Sequence, residues 1–536
     1  MPEMDTGRSL SSDRPKAGPV GRCDVKIGVG VAAAWIRTPA GGVALLILGT
    51  FLLRLLFAAS LGLGIDESYM VAAGRHLHLG YFDHPPLAWW LAWTPAHVAG
   101  SDSAIVVRLP FIALFALTTW LIYRVTAALF GAPAGLWAAV LANLCPVIGV
   151  TAGTWVLPDG PLFAALLAAT LCLIAALPAE GGTAWGWWIG AGICAGLALS
   201  SKYSAVLTIF GAVVFLLTER EGRRWLLRPH PYVAGFAALV IFSPVLIWNA
   251  GHGWVSFLFQ GGRAEGRFNL LGPILTLAGG ALFILPWIWL PLMWCGIDAL
   301  RRGPAEKGRW LLVCLAAPPI VFFTLISLWS HVLFHWAAPG YLLLLPLLGD
   351  AIARRRGTRR WLAATGVLVV VGAAFVASEV RFDWLHGAIG DFRLGKDPAL
   401  AAVDWTSLRT DLEERGLLGR PGLVVAATRW LDAGKIDYAL RGRAPVICLG
   451  SDPREYGVIA PVADYAGSDV LIVAPRYSPA MIGAQFGPLF DTIEQLMPAT
   501  VLHAGHPAMI LPLFIGRHLQ RPTATAGASG DIAGSR

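Results

Sequence analysis

Two adjacent carboxylates, Asp66 and Glu67, follow directly on the first long apolar run of this 536-residue chain. A carboxylate there either ends a membrane helix as part of a solvated pair or, where it reaches a substrate hydroxyl, serves as a general base. Shortly after comes Gly80-Tyr-Phe-Asp-His-Pro-Pro-Leu87, which sets Tyr81, Asp83 and His84 ahead of two prolines that fix the backbone and start a helix. Asp159 follows Pro158 at the head of another apolar run, as an N-cap or as a second acid. Lys202 lies between two apolar runs, where a lysine must snorkel or find an anion. Arg263 and Arg267, four apart, form a cationic face or contact lipid headgroups. His331 and His335 have the i, i+4 spacing of a metal pair, but no HExxH motif accompanies them, and they can equally contact substrate or cap a helix.

The elements that must position these residues are membrane helices. The chain is 56% hydrophobic and only 14% charged, with a mean hydropathy of +0.64, whereas soluble domains are about one quarter charged. Apolar runs predict helices over 41–62, 104–129, 133–151, 159–178, 185–200, 203–218, 232–249, 272–297, 310–329, 335–350 and 361–378, about eleven crossings. The break at Ser200–Tyr203 decides the parity of everything after it. With the N-terminus in the cytoplasm and eleven crossings, three basic loops all fall inside: Arg220/Arg223/Arg224/Arg228, Arg301/Arg302/Lys307/Arg309 and Arg354/Arg355/Arg356/Arg359/Arg360. Membrane orientation therefore accounts for the net charge of +8, and a nucleic-acid partner is not expected. Residues 1–40 read as a polar cytoplasmic tail without a cleavable signal, and 521–536 as a disordered tail.

From about residue 381 to 520 charges become frequent and apolar runs shorten. Leu423–Ala427, Val446–Leu449 and Val470–Ala474 read as short buried strands, with helical stretches at Ala433–Leu440 and Leu489–Met497, which predicts a small extracytoplasmic α/β domain. Met509–Ile515 is too short to span a membrane. The seven cysteines, five of them in apolar runs and none in a CxxC pair, read as small core residues without a disulfide framework or zinc site. The same topology places the first loop, Gly64 to about Ser103, outside. It also places Asp159, Lys202, the Asn249–Arg267 loop and the two histidines near that face. Leu87–Val98, with Trp89, Trp90 and Trp93, reads as an interfacial helix.

The ordered series Asp66-Glu67, Gly80–Leu87, Val107-Arg-Leu-Pro110 and Pro158-Asp159 resembles the opening of the bacterial family 39 glycosyltransferases. These are relatives of the protein O-mannosyltransferases and the lipid A aminoarabinose transferases, with the GT-C fold. Trp248-Asn249 to Arg263 and His335-Trp336-Ala-Ala-Pro339-Gly340-Tyr341 resemble a bacterial branch of the group. The resemblance implies a polytopic GT-C-like enzyme of the bacterial inner membrane. It would move a sugar, with inversion, from a polyprenyl-phosphate donor in the bilayer to an extracytoplasmic glycolipid, polysaccharide or protein. Asp66 matches the family's first-loop base and Glu67 its acidic neighbour, with Asp159 as a further catalytic candidate. Charge and sidedness put Lys202, Arg263 and Arg267 forward for the departing phosphate, and Tyr81, Asp83, His84, His331 and His335 as further substrate contacts. Some relatives use a divalent metal and others do not, and the residues leave both open. A transporter or lipid flippase is the alternative, with Arg54 and Arg124 as its charges inside or near apolar runs, and a non-catalytic assembly factor is a third reading.

Overall fold

The computed structural model describes residues 38–262, 266–355, 357–385, 398–420 and 422–521. The two expected tails therefore lie almost wholly outside the described residues, as does Arg263.

Six described helices are long and apolar enough to cross a membrane: Pro39–Ser60, Ala104–Phe130, Asp159–Ala176, His230–Gly251, Lys307–Ile326 and Thr358–Phe382. A seventh span results if Gly272–Ile284 and Pro286–Ala305 count as one, but that pair is bent by 114°, whereas one helix was expected over 272–297. The bend sits at Leu285, which has φ +77°. Pro286 removes a helical N–H donor and drives the preceding residue out of the helical region. The expected helix over 133–151 is likewise broken, into Ala132–Leu144 and Pro146–Thr151, with extended Cys145 before Pro146. Ala132–Leu144, Ala205–Thr218 and Ala338–Ala353 are apolar but shorter than a full crossing. The break near Ser200–Tyr203 is present: Gly181–Ser201 ends at Lys202, which is extended, and Ala205–Thr218 begins just beyond.

Apolar faces cannot drive packing between helices that already sit in lipid, so close backbone approach does more of the work. Gly196 illustrates it. A Cβ there would lie 2.7 Å from the Ala238 carbonyl oxygen and 2.6 Å from Ile241 Cβ, both on His230–Gly251. The two intramembrane arginines differ. Arg54 lies inside the bundle with its guanidinium 4.1 Å from the Phe115 ring centroid, donating to the Gly149 carbonyl, while Arg124 is exposed beside Trp120.

The C-terminal portion carries a five-stranded sheet of order β2-β1-β3-β5-β4, with β1 Leu423–Ala427, β2 Val446–Cys448, β3 Asp469–Val473, β4 Thr492–His503 and β5 His506–Arg517. β1, the central parallel strand, is flanked by β2 and β3, and β5 joins antiparallel to β3 and β4. All of β1 is buried, which is why its sequence is an unbroken apolar run. Leu489–Met497, expected to be helical, instead leads into β4. It is held there by the long hairpin with β5, whose turn puts Ala504 and Gly505 at positive φ. The run Met509–Ile515 is the body of β5.

This sheet does not stand apart from the helical portion. One apolar cluster takes in Leu63, Tyr69, Met70, Trp89 and Val107 from the first loop and its neighbouring helices. The same cluster includes Leu408, Ile436, Tyr456 and Leu471 from the C-terminal portion. The helix Trp430–Leu440 packs on the loop helix Ile65–Ala73 so closely that a Cβ on Gly434 would lie 2.6 Å from Tyr69 Cα. Polar ties surround the contact. Lys435 Nζ donates to the Leu63 and Val403 carbonyls at 2.6 and 2.9 Å. Arg75 pairs with Asp102 and Asp437 at 2.8 and 2.9 Å. Buried Glu455 accepts from the Phe82 amide at 2.8 Å and meets His78 Nδ1 at 3.0 Å.

Candidate active site

Asp66 and Glu67 both occupy the first turn of the loop helix Ile65–Ala73, but successive helical residues point about 100° apart. Glu67 turns inward and is 2% exposed. Its carboxylate accepts from Arg108 at 2.8 and 2.5 Å, from the Gly64 amide at 2.8 Å and from the Val156 amide at 3.0 Å. Arg108, itself 1% exposed, also donates to the Ala58, Leu61 and Gly62 carbonyls. Glu67 thus ties the helix start to Pro39–Ser60, to Ala104–Phe130 and to the chain before Asp159, and it is not among the residues that line the cavity bordered by Asp66. Asp66 is exposed and borders a cavity of about 690 Å³.

That cavity gathers Asp66, Asp83, His84, Asp159, Lys202 and His335 from segments scattered along the chain. Asp159 is 1% exposed and holds Lys202 Nζ at 3.0 and 3.1 Å through its two oxygens. Its side chain caps no helix: Pro158 is the N-cap residue and Asp159 opens the helix. Lys202, expected to snorkel or to find an anion, is one half of a buried pair, with His335 and His84 within electrostatic reach of the Asp159 carboxylate. Asp83 is 2% exposed, and its backbone carbonyl accepts from Gln260 Nε2 at 2.6 Å. Apolar residues from Ala205–Thr218 (Val206, Leu207) and Lys307–Ile326 (Phe322, Phe323, Ile326) complete the wall.

The remaining expected residues fall elsewhere. Tyr81 is fully buried outside the cavity, stacked 4.0 Å from Trp89 and donating its hydroxyl to the His76 carbonyl at 3.0 Å. Arg267 and His331 line a neighbouring cavity of about 280 Å³, which shares Ser330, Leu333 and Phe334 with the main one. His331 and His335 do not share a helix face, because the chain between Ile326 and Ala338 is irregular. Among the described residues no three His, Cys, Asp or Glu side chains converge to hold a metal ion.

Trp430 and Arg454 also line the cavity and went unnoticed in the sequence, and Tyr69 was placed there no further than in the first loop. Tyr69 stands one turn after Asp66 on the loop helix, and burial together with the Asp83 and Glu455 carboxylates pushes its phenol well above the ordinary range. Arg454 pairs with Asp83 at 3.0 Å and lies 3.6 Å over the Trp430 ring. Trp430 follows β1 and Arg454 follows β2, beyond the carboxyl ends of parallel strands, where open α/β sheets bind ligands. That was the signal available in the expected strands.

Residues 83–248 match the family model described as dolichyl-phosphate-mannose-protein mannosyltransferase. A lipid A galacturonosyltransferase, RgtD of Rhizobium johnstonii, is 23% identical over 291 residues, 52% of this chain and 58% of that protein. The match thus spans little more than half the length of that curated relative. The crystal structure of ArnT from Cupriavidus metallidurans bound to undecaprenyl phosphate superposes with a TM-score of 0.63 at 16% identity, covering 89% of this chain and 98% of ArnT. Its apo form gives 0.62 at 17% identity with the same coverage. The chain is a multi-pass membrane protein with the GT-C fold seen in ArnT, and its residues 83–248 are similar to the dolichyl-phosphate-mannose-protein mannosyltransferases.

Proposed function

We propose that this protein transfers a sugar from a polyprenyl-phosphate carrier to an acceptor on the extracytoplasmic face, with inversion at the anomeric carbon. The carrying observation is a cavity in which an apolar wall from two membrane-region helices meets Asp66, Asp83 and the Asp159–Lys202 pair. A carrier lipid needs both parts: hydrocarbon wall for the isoprenoid, and ionic groups where its phosphate ends. The names of relatives agree, one of them a lipid A galacturonosyltransferase and another bound to undecaprenyl phosphate.

In this reading Asp66 accepts the proton of the acceptor hydroxyl as its oxygen bonds to the anomeric carbon. The bond from that carbon to the phosphate oxygen breaks, and the carrier phosphate leaves with the electron pair. Lys202, oriented by both oxygens of Asp159, meets the charge that develops on that phosphate. His335 and His84 border the same end, while Arg267 and His331 belong to the adjoining cavity and serve the carrier's approach. Glu67 and Tyr81 hold the loop that presents Asp66 and Asp83. The sidedness of the basic loops supports an N-terminus in the cytoplasm and a C-terminal sheet outside.

The test is turnover of a polyprenyl-phosphate sugar by purified protein, beside undecaprenyl phosphate binding. Asp66→Asn keeps the shape and removes the base. The expected result is unchanged binding with turnover down by about two to four orders of magnitude. Turnover near wild type would remove Asp66 as the base. A transporter would move the carrier across vesicles without cleaving it.

A further inference from the structure

The helix Ala338–Ala353 starts just after His335, at the main cavity, and its 16 residues carry the chain to the other end of the bundle. There a separate cavity of about 340 Å³ opens between its last turn, the helix Ala132–Leu144 and the start of Thr358–Phe382. Its lining includes Trp137, Ile352, Ala353, Arg355, Thr358 and Arg359. Among the described residues no acid lines it, and none stands in the first turn of Thr358–Phe382. Asp350, one turn before Arg354, is already taken by Arg309 and, at 2.8 Å, by Arg354 itself. The side chains of Arg355 and Arg359 make no ion pair or hydrogen bond among the described residues. Two guanidiniums that share one hollow without a counter-charge repel each other and attract an anion.

We propose that this cavity binds the headgroup of an acidic phospholipid, one whose phosphate has no ammonium group beside it. Thr358–Phe382 is long and apolar enough to cross a membrane, so Arg359, in its first turn, stands at headgroup level, and Trp137 is a residue type that gathers there. Further along that helix only Leu362, Thr365 and Glu379 are buried. Val367 and Val371, two and three turns beyond Arg359, are 64% and 59% exposed and give acyl chains an apolar track. A soluble phosphate ester would use the arginines but not the track. A zwitterionic headgroup would bring its own cation toward two guanidiniums. Basic pockets between membrane helices seat acidic headgroups elsewhere for the same reasons. The lipid would also clamp the start of the last spanning helix before the C-terminal sheet, adding to the bond that Trp287 Nε1 donates to Thr365 Oγ1 at 3.1 Å. With the orientation proposed above it comes from the cytoplasmic leaflet, and its binding does not depend on the proposed reaction.

The experiment titrates full-length protein in neutral detergent with phosphatidylglycerol, phosphatidylcholine and glycerol 1-phosphate. Bound lipid is read by native mass spectrometry, with the unfolding midpoint measured beside it. Wild-type protein is expected to bind phosphatidylglycerol on the order of tenfold more tightly than phosphatidylcholine, and to unfold at a higher temperature with it. Arg355→Gln and Arg359→Gln are each expected to weaken phosphatidylglycerol about fivefold and to leave phosphatidylcholine unchanged. The control is Arg360→Gln, which removes the same charge from an exposed position outside the cavity and is expected to change the affinity less than about twofold. Equal binding of the two lipids by wild-type protein overturns the proposal without reference to any variant. An equal loss in Arg360→Gln does so too, because the attraction is then diffuse and not sited in the cavity. Glycerol 1-phosphate displacing phosphatidylglycerol at comparable concentration also overturns it, by making the site one for a soluble phosphate ester. A variant whose midpoint without lipid matches wild type and which loses the phosphatidylglycerol preference supports it.

Discussion

Replacing Glu67 by Gln separates a positioning residue from a chemical one within a single helical turn. In the wild type, four donor groups converge on two carboxylate oxygens: Arg108 Nε and Nη2 and the amides of Gly64 and Val156. Glutamine offers one oxygen and turns an NH2 group toward donors. The Arg108 charge, 1% exposed, then has no counter-charge in contact. Its three backbone carbonyl partners remain, so part of its hydrogen bonding survives. Breaking a buried pair from one side costs about 3–5 kcal/mol, against about 0.5 kcal/mol for an ordinary surface change. We expect the thermal unfolding midpoint in detergent to fall, on the order of 5 °C, and turnover per folded molecule to stay within about tenfold of wild type. Midpoint and turnover should be measured on the same preparation. An unaltered midpoint with turnover lost as completely as in Asp66→Asn would refute the positioning role and put Glu67 in the chemistry.

Asp66→Asn should show the opposite pattern, a wild-type midpoint with turnover reduced about 10²–10⁴-fold, read by carrier-sugar consumption. Gly434→Ala should lower the unfolding midpoint, because the new Cβ would sit 2.6 Å from Tyr69 Cα and push Trp430–Leu440 off the loop helix; a silent substitution would contradict that contact. Burial pushes the Lys435 amine down to about 8 from an ordinary 10.5. Between those values the unfolded chain binds the proton and the folded one does not, so stability rises with pH there; Lys435→Met should flatten that rise in melting curves taken across the window. A reporter that works only outside the cytoplasm, fused after Arg521, should be active, and activity of a cytoplasmic reporter at the same point would overturn the orientation.

Local features were the ones legible in the sequence. β1 could be read from Leu423–Ala427 because a strand buried on both faces is apolar throughout. The break at Lys202 could be read because a lysine interrupts two apolar runs. What escaped depends on residues far apart in the chain. Lys202 and Asp159 were each visible as charges near one face, but a contact across 43 residues has no local signature. Arg454 and Asp83 are 371 apart, and nothing near Arg454 marks it as a cavity residue except its place after a strand. Asp66 and Glu67 look alike as a pair of letters; only the tertiary position of Arg108 divides them. The segment Leu489–Met497 was misread because its partner strand, β5, decides its conformation.

The union of the first loop with the C-terminal sheet has a consequence for how the protein matures. Leu63 waits for Lys435, Phe82 for Glu455 and Asp83 for Arg454, each from well over 300 residues further along the chain. During synthesis the membrane helices can be threaded and the Asp159–Lys202 pair formed while Asp66 still rides on an unsupported loop. The cavity is complete only when the C-terminal sheet has folded against the first loop. A chain stalled before Arg454 would then hold an unfinished cavity, so the cavity forms only once that part of the chain has been made.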